Sequence, residues 1–396
     1  MTPPTPGAAA AAPEPVTPAA VRAVTTATPE PVRAKAPDTA GPFKVGASRP
    51  AERPARALRP AVLGLPLRPR LVVMCVITAL AAFGVFCLGL ALGDYPVPLA
   101  DVVPALWRSG ARGTVFIVHE VRLPRALTGV LVGAAFAASG AVLQAITRNP
   151  LASPDMVGIN AGATTAVVAG IVLGFGDTLG TPTLGLAGGL LGALAVYLLA
   201  WRRGSTGFRI VLVGIGVSWM CTSATDYLLT RAKMHQAQEA VGWLVGNLNG
   251  RGWEAVRPLG IAVAVLLPAA LLLAGWNRNL QLGDDVARGL GTPVQLARGL
   301  LLLVSVALVS FATAAAGPVL FVSLAAPQIA QRLARLSAPP VLLSALTGTL
   351  LVSGSDLLAR HLLPDVDLPV GVVTGAIGAG FLLRLLIRSN RAGSGG

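Results

Sequence analysis

The chain has 396 residues, of which 54% are apolar and 12% are charged, whereas a soluble domain carries about a quarter charged residues. This composition excludes an ordinary soluble domain and indicates a protein that crosses a membrane several times. The formal net charge is +14, but ten of the 31 basic residues lie in the first 70 positions and most others flank apolar segments. Basic residues that flank apolar segments set the orientation of a membrane protein in the bilayer. This distribution therefore argues against nucleic-acid binding.

Residues 1–66 are rich in Ala, Pro and Thr and contain no apolar run, so we expect a disordered tail. No apolar h-region precedes Leu71, which argues against a cleavable signal peptide. Residues 67–396 are predicted to form one transmembrane domain. Apolar windows predict about ten membrane helices. They span 71–92, 123–146, 157–175, 182–201, 209–229, 255–275, 294–316, 319–335, 339–360 and 369–387.

Ten spans place both termini on the same side of the membrane. Arginines crowd the segment before the first span and follow the last one, so both termini are predicted to be cytoplasmic. The three cysteines, Cys75, Cys87 and Cys221, lie inside apolar segments, and their spacing indicates neither a metal site nor a disulfide framework. The many glycines within the helices predict a compact bundle with close helix contacts.

The sequence contains no GxxxxGK[ST] motif for nucleotide phosphates and no HExxH or GxSxG motif. We therefore expect a chain that is not an enzyme and binds no cofactor or metal itself. Asp226 and Asp356 are acids within predicted spans. An ionisable residue inside a membrane span is by default a candidate functional residue. Arg231 and Arg360 follow them, which favours local ion pairs over a proton relay.

Several stretches resemble one family. "RLPRALTGVLVGAAFAASGAVLQAITRNPLASPDMVGINAGA" (122–163) is similar to the signature region of the FecCD family, the permeases of ABC importers for ferric siderophores, haem and cobalamin. The resemblance continues through further blocks in the family's order and covers essentially everything after residue 70. These blocks are "VGIGVSW", "WLVGNLNGRGW", "LGDDVARGLG", "GPVLFVSLAAPQIAQRL" and "LLPDVDLPVGVVTGAIGAGFLLRLL".

The loop "RNPLASPDMVG" (148–158) contains residues that end a helix and tighten a turn. Pro150 and Pro154 stop helix continuation, Asn149 can bond freed backbone groups, and Gly158 permits close approach. The resemblance implies a hinge packed beside the translocation path. The polar residues that could line this path are equally open to a role as hydrogen-bonding glue between helices. They are Ser139, Gln144, Asn149 and Asn160.

The stretch "LGDDVARGLG" (282–291) predicts a short helix bounded by Gly283 and Gly291, with two acids at the positive end of its dipole. The residues alone predict a capped helix on the surface of the protein. The resemblance implies instead the cytoplasmic coupling helix that docks on the ATPase subunit. The residues predicted to carry this coupling are Gly283, Asp284, Asp285, Ala287, Arg288 and Gly291.

Arg122, Arg125 and Arg360 lie at predicted outer ends of helices. They can act simply as anchors at the membrane–water interface. The resemblance implies that they receive carboxylates of an extracytoplasmic substrate-binding protein, a role that suits the bidentate guanidinium group.

The sequence departs from the family pattern in its last third. Gln328 follows Pro327 where the family typically has His, and Asp367 replaces the typical Glu. Ser323 and Gly380 stand where Gly and Pro are usual. The packing of this region is therefore less securely predicted than that of the rest.

We expect a multi-pass permease of the bacterial plasma membrane that pairs with a second permease subunit, identical or different. ATPase subunits carrying ATP and Mg²⁺ and a substrate-binding protein would complete the importer. A ferric siderophore is the expected substrate, with cobalamin or haem as the alternative. A secondary transporter driven by an ion gradient is the rival class, but it needs acids at the bilayer midplane and would leave the coupling segment without a role.

Overall fold

The computed structural model describes residues 69–93, 95, 97–154, 158–200, 207–362 and 368–393. These residues form helices joined by short connections, and the described ranges contain no β-strand. The predicted tail, residues 1–66, lies outside the described residues. The helices are α1 (Pro69–Ala91), α2 (Leu99–Leu106), α3 (Arg112–Phe116), α4 (Leu123–Thr147), α5 (Ile159–Leu173), α6 (Gly176–Leu179), α7 (Thr181–Ala200), α8 (Gly207–Arg231), α9 (Met234–Leu244), α10 (Trp253–Leu272), α11 (Ala274–Gln281), α12 (Asp284–Gly289), α13 (Val294–Ala316), α14 (Val322–Ala334), α15 (Val341–Leu362) and α16 (Val370–Gly393), with a π-helical stretch (Ile117–Arg122) leading into α4.

The ten predicted windows correspond to α1, α4, α5, α7, α8, α10, α13, α14, α15 and α16. Within the described ranges, six helical segments are long and apolar enough to cross a membrane, and α5 and most of α16 are shorter apolar helices. The predicted all-α polytopic membrane fold is thereby confirmed. The windows do not predict α2, α3, α6, α9 or α11, because these helices are too short or too polar for a hydropathy signal.

Helix α4 is the centre of the bundle and is buried along most of its length between α10, α13, α14 and α15. Glycine makes two of these contacts possible. A Cβ atom on Gly133 would lie 2.3 Å from the carbonyl oxygen of Gly348, and one on Gly140 would lie 1.8 Å from the carbonyl oxygen of Ser323. Helices in lipid associate through such close backbone contacts, because apolar burial gives them little driving force there.

A second glycine contact joins α5 to α7. A Cβ atom on Gly162 would lie 2.5 Å from the carbonyl oxygen of Gly188, and one on Gly192 would lie 2.7 Å from that of Gly158. Larger residues at these positions would force the two helices apart. The prediction of a glycine-packed bundle is therefore confirmed at both contacts.

Two partly buried segments without helical structure, 245–252 and 317–321, meet beside the start of α16. The amide of Asn247 donates to the carbonyl of Ala316 (2.8 Å), and the amide of Gly371 donates to that of Gly246 (3.1 Å). These bonds satisfy backbone groups that lipid could not satisfy. Gly317, with a φ of 76°, and Phe321, with a φ of 64°, delay the start of α14 to Val322, three residues after the predicted start of that window.

Contacts between helices identify the two ends of the bundle. At one end, called the α12 end, Arg148, the residue that follows α4, lies beside Gly283 just before α12. At the other end, called the Arg122 end, Arg122 donates to the carbonyls of Leu90 and Ala91 at the close of α1. A span of 25 residues, α4, connects the two ends.

Candidate coupling segment, inner loop and docking arginines

The segment 282–291 forms the predicted short helix, α12, between two glycines with positive φ. Gly283 precedes α12 with a φ of 104°, and Gly291 follows it with a φ of 79°. Such angles are costly for residues with a side chain, so glycine defines both turns. The amide of Thr292 returns to the carbonyl of Ala287 (2.9 Å), which closes the helix.

An ion pair fixes α12 to the second turn of the following span, α13. Arg298 on α13 donates from Nη2 to both carboxylate oxygens of Asp284, at 2.9 and 3.1 Å. The Arg298 side chain is 11% exposed and that of Asp284 is 31% exposed. Asn279 on α11 adds a bond to the Thr292 hydroxyl (2.9 Å). The segment is therefore a rigid projection and not a loose connector.

The outer surface of α12 is accessible and mixed in character. Leu282, Val286 and Leu290 are exposed, and Val286 and Leu290, four residues apart, lie on the same side of α12, while Ala287 is buried against the bundle. Asp285 and Arg288 pair with each other at 2.7 Å, with side chains 97% and 59% exposed. Exposed apolar residues beside a charged pair are chemically suited to contact with another protein. The predicted coupling residues thus divide by position, with Asp284 and Ala287 supporting the helix and Asp285 and Arg288 on its surface.

The loop 148–158 begins with a tight turn at the end of α4. Arg148 has a φ of 52°, and the amide of Asn149 returns to the carbonyl of Gln144 (3.2 Å). The Asn149 side chain then accepts a hydrogen bond from the amide of Leu151 (2.9 Å), as its residue type predicts. Pro150 is exposed, whereas Pro154 turns back into the bundle and is buried.

The end of this loop, at Gly158, packs tightly, and its start, at Arg148, contacts the segment 282–291. Gly158 has a φ of 76° and lies against Val196 and Val217. At its start, a Cβ atom on Gly283 would lie 3.6 Å from a guanidinium nitrogen of Arg148. The loop therefore contacts the α12 segment directly. Residues 155–157 lie outside the described residues.

The predicted path residues with buried side chains form hydrogen bonds between helices. The Ser139 hydroxyl donates to the carbonyl of Ser305 on α13 (2.9 Å). The Gln144 amide donates to the carbonyl of Leu324 (3.2 Å) and its oxygen accepts from Gln328 (2.8 Å). These bonds are the interhelical glue that the residue types allow, and the path-lining role of the same residues stays a prediction.

Asn160 follows the same pattern, since its oxygen accepts a hydrogen bond from the Thr313 hydroxyl on α13 (2.7 Å). The departure at Gln328 also has a local explanation, because its side chain is the partner of Gln144. Ser323 presents its backbone carbonyl to Gly140, so its side chain does not interfere with that contact. Asp367 lies outside the described residues.

The three predicted docking arginines are brought together at the Arg122 end, but all are largely buried. Arg122 is 5% exposed, and its guanidinium donates to the carbonyls of Leu90 (2.8 Å), Ala91 (2.9 Å) and Tyr95. It therefore ties the end of α1 to the start of α4. Its charge faces backbone dipoles and is not presented at the surface.

Arg125 and Arg360 share one carboxylate. Asp356 accepts from Arg125 at 2.8 Å through one oxygen and from Arg360 at 2.5 Å through the other. The side chains are 17%, 13% and 8% exposed for Arg125, Arg360 and Asp356 respectively. The predicted pair of Asp356 with Arg360 is confirmed. The cluster carries two guanidinium groups for one carboxylate, so it retains positive charge at the rim of a small cleft between α1, α4 and α15.

Two contacts between these residues could not be predicted from the sequence. Arg298 lies fourteen residues after Asp284, on the next helix, and nothing in its neighbourhood marks it as the partner of that acid. The joint use of Asp356 by Arg125 and Arg360 depends on α4 and α15 being antiparallel neighbours, which hydropathy does not reveal. Only the presence of an acid within a span drew attention to Asp356.

The sequence profile of the FecCD transport family matches residues 79–388. The chain belongs to the FecCD transport family. The ferric enterobactin transport system permease protein FepG of Escherichia coli is 40% identical over 323 residues, covering 81% of this chain and 98% of that protein. The achromobactin permease protein CbrC of Dickeya dadantii is 42% identical over 314 residues, covering 78% and 89%.

The iron(3+)-hydroxamate import permease protein FhuG of Bacillus subtilis is 35% identical over 329 residues, covering 81% of this chain and 98% of that protein. Among solved structures, an inward-facing metal-chelate type ABC transporter superimposes with a TM-score of 0.69 at 25% identity, covering 80% of this chain and 99% of that one. The resemblance to the family and the predicted fold are confirmed, and they cover the domain that contains all the candidate sites.

Proposed function

We propose that this chain is the membrane permease subunit of an ATP-driven importer for ferric siderophores. The family membership and the iron-chelate permeases named among its relatives support this proposal. The observation that carries the mechanism is α12, a rigid short helix with exposed apolar residues and an exposed charged pair, fixed to α13 by the Asp284–Arg298 pair.

In this proposal α12 is the site at which ATPase subunits act on the permease. Nucleotide and Mg²⁺ belong to those subunits, since this chain has no phosphate-binding motif. Closure of the ATPases would displace α12, and the displacement would pass to α13 through Arg298 and to α4 through the contact between Gly283 and Arg148. A rigid projection transmits such motion, whereas a loose loop would absorb it.

The α12 end then faces the cytoplasm and the Arg122 end faces the substrate-binding protein. This orientation agrees with the arginines that precede α1 and follow the last apolar stretch. It places both termini in the cytoplasm of a bacterial cell. A second permease subunit completes the translocation path, and the loop 148–158 acts as the hinge beside it.

At the Arg122 end, Arg125 and Arg360 are the residues proposed to meet carboxylates of the binding protein. Both already bond to Asp356, so an incoming carboxylate would share or replace that internal partner. Charge complementarity between two protein surfaces sets encounter rate and orientation more than affinity. Arg122 supports this surface from below by holding α1 against α4.

The experiment that tests the proposed function measures uptake of radiolabelled ferric siderophores in cells with and without this gene. Parallel cells carry an ATPase subunit inactivated in its nucleotide site. We expect uptake of at least one chelate to require both this chain and the active ATPase. Unchanged iron uptake with lost cobalamin or haem uptake would move the substrate to that alternative. Uptake that requires this chain but survives ATPase inactivation would overturn the proposal in favour of an ion-driven transporter.

A further inference from the structure

The last turn of α14 lies at the α12 end of the bundle. A Cβ atom on Gly140 would lie against the carbonyl of Ser323, and the Gln144 oxygen, one turn further along α4, accepts a hydrogen bond from Gln328 (2.8 Å). Both helices therefore run in the same direction. The residues of α14 that follow Gln328 extend to the end of the bundle that contains α12.

Two arginines are held in place around this last turn. At the start of α1, the Nε atom of Arg70 donates to the carbonyl of Leu333 (2.9 Å), which uses one of the five donors of the guanidinium group. Arg335 follows α14 with a φ of 51°, and its amide returns to the carbonyl of Arg332 (3.1 Å). Arg70 and Arg335 are both exposed. The two residues are therefore anchored on the same turn and accessible to a ligand.

The elements around this pair of arginines carry no acid. Helices α1, α14 and α16 and the connection 335–340 contain neither Asp nor Glu. Asp356, the acid of α15, lies at the Arg122 end. Arg70 and Arg335 take no part in the ion pairs that form between described residues. Within that part of the chain, their positive charge is therefore not neutralised by a carboxylate.

An exposed apolar row on α1 begins beside Arg70. Val73, Ile77 and Leu80 are 49%, 53% and 65% exposed, and they follow Arg70 at spacings of three and four residues, which places all four on one face. Only 11% of the apolar window of α1 is buried. This face thus has guanidinium groups at the bundle end and apolar surface deeper in the membrane, which matches the polarity of a phospholipid.

We propose that Arg70 and Arg335 bind the phosphate of an anionic phospholipid whose acyl chains lie along Val73, Ile77 and Leu80. This inference goes beyond the proposed function and does not depend on the cargo. Guanidinium groups stay charged and match phosphate oxygens in geometry. A zwitterionic headgroup brings a cation that two uncompensated arginines repel. The site therefore favours a lipid with net negative charge, such as phosphatidylglycerol.

A fluorophore on α1 measures the lipid composition around this face. Val76→Cys, on the exposed side of α1, is labelled in the assembled importer after Cys75, Cys87 and Cys221 are changed to Ala. The importer is placed in bilayers of phosphatidylglycerol and phosphatidylcholine, in which one lipid or the other carries a nitroxide quencher on its acyl chain. The ratio of the two quenching efficiencies gives the local enrichment. We expect phosphatidylglycerol to be enriched about fivefold or more at position 76, and not enriched at Val265→Cys on the exposed surface of α10.

Substitutions connect the enrichment to the arginines. Arg335→Asn removes the charge with a residue that tolerates positive φ. It should lower the enrichment by about fivefold, the contribution of one basic residue near anionic lipid. Arg335→Lys keeps the charge and should retain most of the enrichment. Arg278→Asn is the matched control, because it removes an exposed arginine of α11 at the same end of the bundle and should leave the ratio unchanged.

Inorganic phosphate, compared with chloride at equal ionic strength, distinguishes a lipid from a soluble anion. A bound lipid is also held by its acyl chains, so phosphate should leave the enrichment in place. Loss of the enrichment in phosphate would assign the site to a soluble anion and overturn the proposal.

Three other results would also overturn the proposal. Equal quenching by the two lipids, or an equal effect of Arg278→Asn and Arg335→Asn, would mean that the arginine pair does not select lipid. A label at position 76 that neither lipid quenches would mean that another protein covers this face. Loss of ATPase co-purification in Arg335→Asn with unchanged enrichment would assign that arginine to the ATPase contact. None of these measurements requires transport, so a failure of the proposed function would leave their outcome readable.

Discussion

The Asp284–Arg298 pair allows a quantitative prediction for the coupling segment. Asp284→Asn keeps the shape of the side chain but removes the counter-charge of a guanidinium that is only 11% exposed. Breaking a fully buried pair costs about 3–5 kcal/mol. Because Asp284 is 31% exposed and solvent screens it, we expect a smaller loss of about 2 kcal/mol in the attachment of α12 to α13.

A loss of that size changes the equilibrium between attached and detached α12 by about 30-fold. Hydrogen exchange of the amides of residues 284–291 in the purified importer measures it directly, as a similar fall in protection. Transport and ATPase stimulation should fall with it, while membrane insertion is unaffected. The control is Asp285→Asn, whose exposed pair with Arg288 contributes little, so protection should change by about threefold or less.

The charge swap of Asp284→Arg with Arg298→Asp should restore part of the protection that either change removes. Equal exchange in the Asp284→Asn and Asp285→Asn variants would refute the reasoning, because it would mean that the ion pair does not hold α12. Normal exchange with lost transport would place the effect on the ATPase contact instead.

Three further predictions concern the rest of the bundle. Arg125→Gln should weaken binding-protein docking, more at low salt than at high salt, and Asp356→Asn, which spares the docking charge, should not reproduce that salt dependence. Gly140→Val should prevent normal packing of α14 on α4, since even a Cβ atom would lie 1.8 Å from a carbonyl oxygen; a melting temperature equal to that of the unmodified protein would contradict this. Gln328→Leu should cost about 1–2 kcal/mol by leaving the buried Gln144 oxygen without its donor, and adding Gln144→Leu should recover most of it in thermal unfolding.

Some features were predictable because they depend on local chemistry. Apolar runs indicated the spans, and Gly283 and Gly291 defined the ends of α12 through their backbone freedom. The turn after α4 followed from Asn149 and its neighbours. These features need no knowledge of which helices touch, so the sequence contains the necessary information.

Features that depend on helix neighbours were not predictable in the same way. The sequence suggested one partner for each intramembrane acid, the arginine a few residues downstream. That rule was right for Asp356, which pairs with Arg360. It was wrong for Asp226, which forms no ion pair among the described residues, while Arg231 lies over the Tyr227 ring instead. The burial of Arg122, whose guanidinium donates to three backbone carbonyls, could not be predicted either, since it depends on where α1 ends relative to α4.

Helix α4 has a consequence for how the two ends of the protein communicate. Its 25 residues reach about 37 Å, with Arg122 and Arg125 at one end and the contact of Arg148 with Gly283 at the other. A single rigid rod thus touches both proposed partner surfaces. Thermodynamic linkage is reciprocal. If nucleotide on the ATPases changes the affinity for the binding protein by some factor, the arrival of the binding protein must change nucleotide affinity by the same factor.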